Sequence, residues 1–282
     1  MNLSFRICTE TDLELADHPF VAAYEFTQSR KALLYQHWLL QPDGWWLASL
    51  DEQPVGFGGA VDYGPFSYIG MIAVHPSVQH RGIGTALMQQ ILAWGDARGC
   101  PTMLLDADEQ AVSLYKRLGF IEETTIPKFI QTKRITLPQL SSHIQKLQGA
   151  DIPDVAAFDA PYFGANRAKV LASHLKESPE GAFVSRTKTG QITGYIFTEP
   201  RFLGPWVASS VEVAEQLLIR ALLLPFADNL SVTLPISNQE GQRLLKRYGF
   251  VQRDVNFYMR RGAPAPFRQP DMLYGEASSA LG

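Results

Sequence analysis

Apolar and polar side chains alternate over residues 3–8, which predicts a half-buried strand. The period then lengthens. Thr11-Asp12-Leu13-Glu14 reads as a capping box, with the hydroxyl at the cap and the carboxylate three positions on. It opens a helix-rich region that runs to about Leu40 and ends in the turn sequence Gln41-Pro42-Asp43-Gly44. Trp45–Leu50 and Val55–Val61 read as strands joined across Asp51-Glu52-Gln53-Pro54, a hairpin. Asp62-Tyr63-Gly64-Pro65 then turns the chain into an apolar strand over 67–74. A helix at 84–98, a strand at 102–106, a helix at 109–118 and a strand from Phe120 complete an α+β unit.

The second half repeats the first in worn form. Phe202–Ala208 parallels Tyr68–Val74, Ala214–Leu218 parallels Gly84–Met88, and Leu245-Lys246-Arg247-Tyr248-Gly249-Phe250 parallels Tyr115-Lys116-Arg117-Leu118-Gly119-Phe120. The copy's loop is four residues shorter, has lost both glycines, and carries Leu245 in place of Tyr115. Glu212 and Glu215 stand near its expected helix start, where carboxylates repel a diphosphate. At 282 residues the chain exceeds ordinary single-domain size. The division expected is therefore 1–135 and 145–282, with a boundary between Ile126 and Ala150 around Pro127, Pro138 and Ser141-Ser142.

The strongest chemical signal lies where the strand at 68–74 meets the helix after it. Gly82 and Gly84 leave the backbone open to a ligand, and the helix they introduce starts with unpaired N–H groups and a positive dipole end. Such a loop suits phosphate or pyrophosphate. The Gly-Lys-Ser/Thr ending of a nucleoside-triphosphate loop is missing, and Leu87 stands where a dinucleotide fingerprint needs its third Gly. Gln79-His80-Arg81-Gly82-Ile83-Gly84 instead fits Gln/Arg-x-x-Gly-x-Gly/Ala, preceded by Val74-His75-Pro76. Ala111-Val112-Ser113-Leu114-Tyr115 followed by Gly119-Phe120 supplies a second motif at the right distance. Over residues 1–130 the chain resembles the GCN5-related N-acetyltransferases (GNAT). Its second half, through Phe163-Gly164-Ala165-Asn166-Arg167 and Gly204-Pro205-Trp206, resembles the YitH/HolE-type domain of tandem members.

That resemblance implies an α+β fold with a mixed sheet, built as two tandem GNAT-like domains of which the second is degenerate. It implies acetyl-CoA as cosubstrate and an amine acceptor that attacks the thioester directly. The strand residues Ile72, Ala73 and Val74 would meet the pantetheine, and His80, Arg81, Gly82, Ile83, Gly84 and Thr85 the pyrophosphate. Gln79 would shape the loop, and Ala111 would line the cofactor helix. Tyr115 would act as general acid towards the departing thiolate, while Asp108 stands where the family often has Asn. For the general base the candidates are Asp106, then Asp62 and Glu25, with His75 beside the cofactor strand.

Composition narrows the rest. A hydrophobic share of 46% against 19% charged describes a chain with an ample core. A net charge of −3 gives no general attraction for nucleic acid or anionic membranes. Cys8 and Cys100 make no disulfide framework and lack an evident His partner, and the six histidines show no metal-ligand spacing. No apolar run reaches membrane-spanning length, so a cytoplasmic protein is expected, as a monomer or homodimer, acting on a small-molecule or peptide amine. Trp45, Trp46 and Trp206 are candidates to line the acceptor pocket. The alternatives are a non-catalytic acyl-CoA-binding or regulatory module, and a second half that serves interaction or dimerisation.

Overall fold

The computed structural model describes residues 2–139, 144–264 and 269–282. The first half runs β1 (Leu3–Ile7), α1 (Leu13–Ala23), α2 (Lys31–Leu40), β2 (Trp45–Leu50), β3 (Gln53–Asp62), β4 (Ser67–Val74), α3 (Ile83–Ala97), β5 (Thr102–Ala107), α4 (Glu109–Arg117) and β6 (Ile121–Gln131). The second runs β7 (Ile144–Lys146), α5 (Ile152–Phe163), α6 (Ala168–Glu177), β8 (Ala182–Arg186), β9 (Ile192–Glu199), β10 (Phe202–Ala208), α7 (Val211–Leu222), β11 (Ser231–Thr233), α8 (Gln239–Arg247), β12 (Phe250–Gly262) and β13 (Leu273–Gly275). The repetition read from the sequence is thus a repetition of structure, a mixed sheet with helices in each half.

Two local expectations change in detail. The capping box at the first helix uses Thr9 and Asp12 rather than Thr11 and Glu14: Thr9 N–H donates to Asp12 Oδ2 at 2.9 Å. Arg6 pairs with the same carboxylate, so Asp12 both starts the helix and ties it to β1. The β2–β3 hairpin closes on two residues, because Asp51 and Glu52 adopt φ of 47° and 67° and leave Leu50 opposite Gln53. Two consecutive left-handed residues match the right-handed twist of the flanking strands.

All the described strands join one sheet, in the order β1-β2-β3-β4-β5-β12-β6-β11-β10-β9-β8-β7, with β13 added to β10. The halves have exchanged strands. β12, from the second half, lies antiparallel between β5 and β6 of the first, and β6 in turn pairs with β11 of the second. Each half therefore completes its sheet with a strand of the other, and neither has a free edge at the junction. Ile126 and Pro127, the near end of the expected linker, sit inside β6. Ser141 and Ser142 lie outside the described residues.

The sheet separates two layers of core. On one face α3 and α4 cover Ile69, Leu105, Ala107 and Met259. On the other, α1 and α2 cover Phe57, Tyr68, Leu104 and Tyr258, together with Ala277, Ala280 and Leu281 from beyond β13. The segment 276–282 of the second half is thus packed into the first. Trp45 and Trp206 are fully buried core residues, so neither lines an open pocket.

Candidate functional site

β4 and β5 run parallel and pair through Ser67↔Met103, Tyr68↔Leu104 and Ile69↔Leu105, and there the pairing ends. Beyond Ile69 the β4 backbone turns away. Met71 takes a φ of 59°, and the β3–β4 register shifts between Phe57 and Gly59, so two β4 residues face one of β3. A bulge of this kind bends its strand and raises the local twist. Residues 70–74 thus pair with β3 on one edge and have no partner in β5 on the other, which leaves a gap in the pairing, and an unpaired strand edge of this sort can accept an extended ligand as another strand.

Two side chains already hold this edge in place. Tyr24 Oη donates to Ile72 O at 3.2 Å, and Gln79 Nε2 donates to Val74 O at 2.9 Å. Gln79 thereby ties the loop to the strand, the loop-shaping part expected of it. Tyr24 carried no motif and was not legible in the sequence; only the packing of α1 against β4 brings it here.

The gap leads to the N-terminus of α3. His80 and Gly82 both adopt left-handed backbone, with φ of 62° and 81°, which directs successive N–H groups to one side of the loop. Gly82 is the helix cap and provides no side-chain acceptor, so the first donors of α3 have no capping partner. A Cβ built on Gly84 meets nothing nearer than Val74 Cγ2 at 3.6 Å. Packing does not require a glycine there, and its bare backbone suits a ligand that must come close. The residues present therefore fit a diphosphate: open donors, the positive helix end, and no carboxylate in the first turn.

On the α3/α4 face, α4 is capped by Asp108, whose carboxylate accepts from Ala111 N at 2.9 Å. One turn further on, Tyr115 is buried beside Phe120. Burial, and then the neighbouring Tyr24 and Asp108, raise its phenol well above the ordinary value. The Tyr115 hydroxyl thus keeps its proton at neutral pH.

Asp106 comes out on the other face. It alternates with Leu105 and Ala107, which pack with Tyr115, and shares the side of Leu104. Its Oδ1 accepts from Tyr68 Oη at 2.8 Å. Tyr115 and Asp106 therefore flank the sheet from opposite sides, next to the gap between β4 and β5. The remaining base candidates have other work. Asp62 Oδ1 accepts from Gly64 N at 2.8 Å and shapes a turn, while His75 stacks on His18 and bonds Ser77. Glu25 is exposed, on left-handed backbone past α1. Burial pushes the Cys8 thiol up to about 12, which removes it as a nucleophile at neutral pH.

The segment 276–282 closes the Asp106 face. Ala280 lies directly on Gly70, where an added Cβ would sit 2.4 Å from the Ala280 Cβ. Tyr63 Oη donates to Leu281 O at 3.0 Å, and Arg167 Nη1 donates to Gly282 O at 2.9 Å. Arg167 is itself fully buried, paired with Asp159 through Nε–Oδ2 at 2.8 Å and Nη2–Oδ1 at 3.0 Å, and stacked 4.1 Å above the Phe163 ring. Burial works against its charge, but Asp159 and Tyr195 outweigh that and raise its pKa.

Comparisons with known proteins show the family and the fold. Residues 11–120 match the model of the acetyltransferase (GNAT) family, and residues 155–275 match a second acetyltransferase (GNAT) domain model. Together these matches span most of the chain, which belongs to the GNAT acetyltransferase family. Among curated relatives, an uncharacterized N-acetyltransferase of Methanocaldococcus jannaschii is 29% identical over 125 residues, 40% of this chain and 55% of that protein. A mycothiol acetyltransferase of Streptomyces avermitilis is 36% identical over 89 residues, 30% of this chain and 29% of that protein. The chain thus spans about half or less of the length of these relatives. A putative acetyltransferase from Pyrococcus horikoshii superposes with a TM-score of 0.88 at 28% identity, covering 99% of this chain and 96% of that one. A tandem GNAT protein from the clavulanic acid biosynthesis pathway shares the fold, with a TM-score of 0.65 at 14% identity over 93% of this chain and 99% of that one.

Proposed function

We propose that this chain is an N-acetyltransferase that moves an acetyl group from acetyl-CoA to an amine by direct attack. In this reading residues 1–135 form the catalytic domain and 145–282 a degenerate partner. The observation that carries it is the continuity of the β4 gap with the uncapped N-terminus of α3. The backbone of Ile72, Ala73 and Val74 lines one side of that gap, and the loop from His80 to Thr85 presents its N–H groups at the end.

Amine and thioester meet where β4 and β5 part. Holding the two together supplies most of the acceleration. The C–N bond forms as the C–S bond breaks. Tyr115 gives its proton to the sulfur from the α3/α4 face, and Asp106, positioned by Tyr68, takes the amine proton from the other. Segment 276–282 walls the amine side, so the second half shapes the acceptor pocket rather than catalysing.

The test is thiol release from acetyl-CoA across an amine library. Tyr115→Phe is expected to lower kcat by about a hundredfold or more while leaving coenzyme A affinity nearly unchanged. Equal kcat in wild type and variant would remove Tyr115 from the chemistry. Tight coenzyme A binding with no turnover on any amine would favour the regulatory module.

A further inference from the structure

Tyr24 has no part in the acyl-transfer steps, yet its hydroxyl sits on the strand edge those steps use. The register of β4 fixes which of its backbone groups face that edge. His75 N–H donates to Val55 O at 2.8 Å. In the alternation of an antiparallel pair Ala73 then also bonds across to Phe57, and the backbone groups of Ile72 and Val74 point the other way. Both of their carbonyls are already taken. Gln79 Nε2 holds Val74 O at 2.9 Å, and Tyr24 Oη holds Ile72 O at 3.2 Å.

The two ties differ in kind. Gln79 comes from the loop that follows β4, and its bond has an ordinary length. Tyr24 comes from the end of α1, and its bond is long for a hydroxyl donor, whose usual distance is about 2.7–2.8 Å. The main chain of Tyr24 is anchored. Phe26 N–H donates to Val21 O at 3.0 Å and Glu25 takes a φ of 54°, a Schellman stop with a glutamate at its left-handed position. The ring packs on Phe20 and Phe26, with centroids 4.8 and 5.8 Å away, but the residue is 44% exposed. A rotation about χ1 therefore carries the hydroxyl to solvent without moving the helix.

That hydroxyl also stands in the way. Tyr24 rises from the α1 face and Tyr115 packs from the α3/α4 face, yet the two are near enough for Tyr24 to act on the Tyr115 phenol. The Tyr24 hydroxyl thus lies at the break in pairing between β4 and β5, on the line that an extended ligand takes along residues 70–74.

We propose that Tyr24 is a positioning residue that latches this edge: its hydroxyl occupies the Ile72 carbonyl in the free chain, and an amide N–H of the incoming pantetheine arm displaces it. Gln79 stays on Val74 O throughout and keeps the loop in place. The latch rests on the acyl-CoA reading above, which assigns the pantetheine to this edge, and it adds a cost to binding that the hydroxyl alone imposes.

The test is calorimetric titration of the full chain and of Tyr24→Phe, which keeps the ring against Phe20 and Phe26 and removes only the hydroxyl. Coenzyme A is one ligand; adenosine 3′,5′-bisphosphate, its nucleotide end without the pantetheine arm, is the other. Coenzyme A is expected to bind the variant about three- to tenfold more tightly, the worth of one net hydrogen bond. Bisphosphate affinity and Tm should change little, whereas a merely structural role for the hydroxyl would move both and would not tighten binding. Coenzyme A binding that is equal or weaker in the variant overturns the latch alone, as does an equal gain for both ligands. Failure of coenzyme A to bind the wild-type chain overturns the acyl-CoA reading itself, and the latch with it.

Discussion

The two halves build the same strand–helix corner and finish it differently. In the first, β4 leaves β5 after Ile69, the gap has no strand in it among the described residues, and α3 begins at Gly82 without a side-chain cap. In the second, β10 pairs with β11 only at Phe202↔Ser231, and β13 takes the strand edge beyond, with Trp206↔Gly275 and Val207↔Leu273. Asn238 Nδ2 fastens that filling strand by donating to Leu273 O at 2.7 Å. The start of α7 is closed as well. Ser210 Oγ accepts from Val213 N at 3.4 Å, and the exposed Glu212 carboxylate is held below its usual range by Ser210 and its own N–H. Where the first half has the Tyr115 phenol, the second has the fully buried Leu245. One corner has no side-chain cap on its helix and no β5 partner along the end of its strand; the other has a capped helix and carries β13 on its strand edge.

The comparison also shows what the closed half does. Its filling strand continues into 276–282, which lies on Gly70 and is anchored through Arg167. Replacing Arg167 with Leu leaves Asp159 buried with the Tyr195 hydroxyl but without its cationic partner and should cost about 3–5 kcal/mol, read as a large fall in the denaturant midpoint. If it costs little, the anchor is not what holds the segment. Ser210→Ala removes the helix cap in the closed half and should cost about 1 kcal/mol with no change in coenzyme A affinity. A gain of a second coenzyme A site in that variant would show that the cap alone keeps α7 shut.

A smaller effect separates the first half by pH. Arg6, and the Thr9 backbone and hydroxyl, hold the Asp12 carboxyl at about 2 against an ordinary 3.8. Its contribution is complete above about pH 4 and disappears as pH falls towards 2. Arg6 is half exposed, so the stability lost is on the order of 1 kcal/mol. Asp12→Asn should flatten the stability profile in that window, and an unchanged profile would contradict the assignment.

Much of the open corner was legible in the sequence because local chemistry makes it. Gly82 and Gly84 set the loop, and α4 with Tyr115 follows from a capped helix and a Gly stop. The closed corner was half legible: the lost glycines and Leu245 were visible, but β13 was not. A three-residue strand that pairs with β10 over some 65 residues of sequence leaves no periodic signal. The exchange of β6 and β12 was hidden for the same reason, since alternation fixes which side chains are buried but not which strand lies alongside. Tyr68 with Asp106, and Arg167 with Asp159, depend on tertiary packing alone.

The central claim is one open corner per chain, and coenzyme A binding by titration calorimetry tests it directly. The account predicts a stoichiometry of one, with affinity reduced by about thirtyfold or more in Gly84→Glu, where a carboxylate enters the expected diphosphate site. Two sites per chain, or one that Gly84→Glu leaves intact, would contradict it.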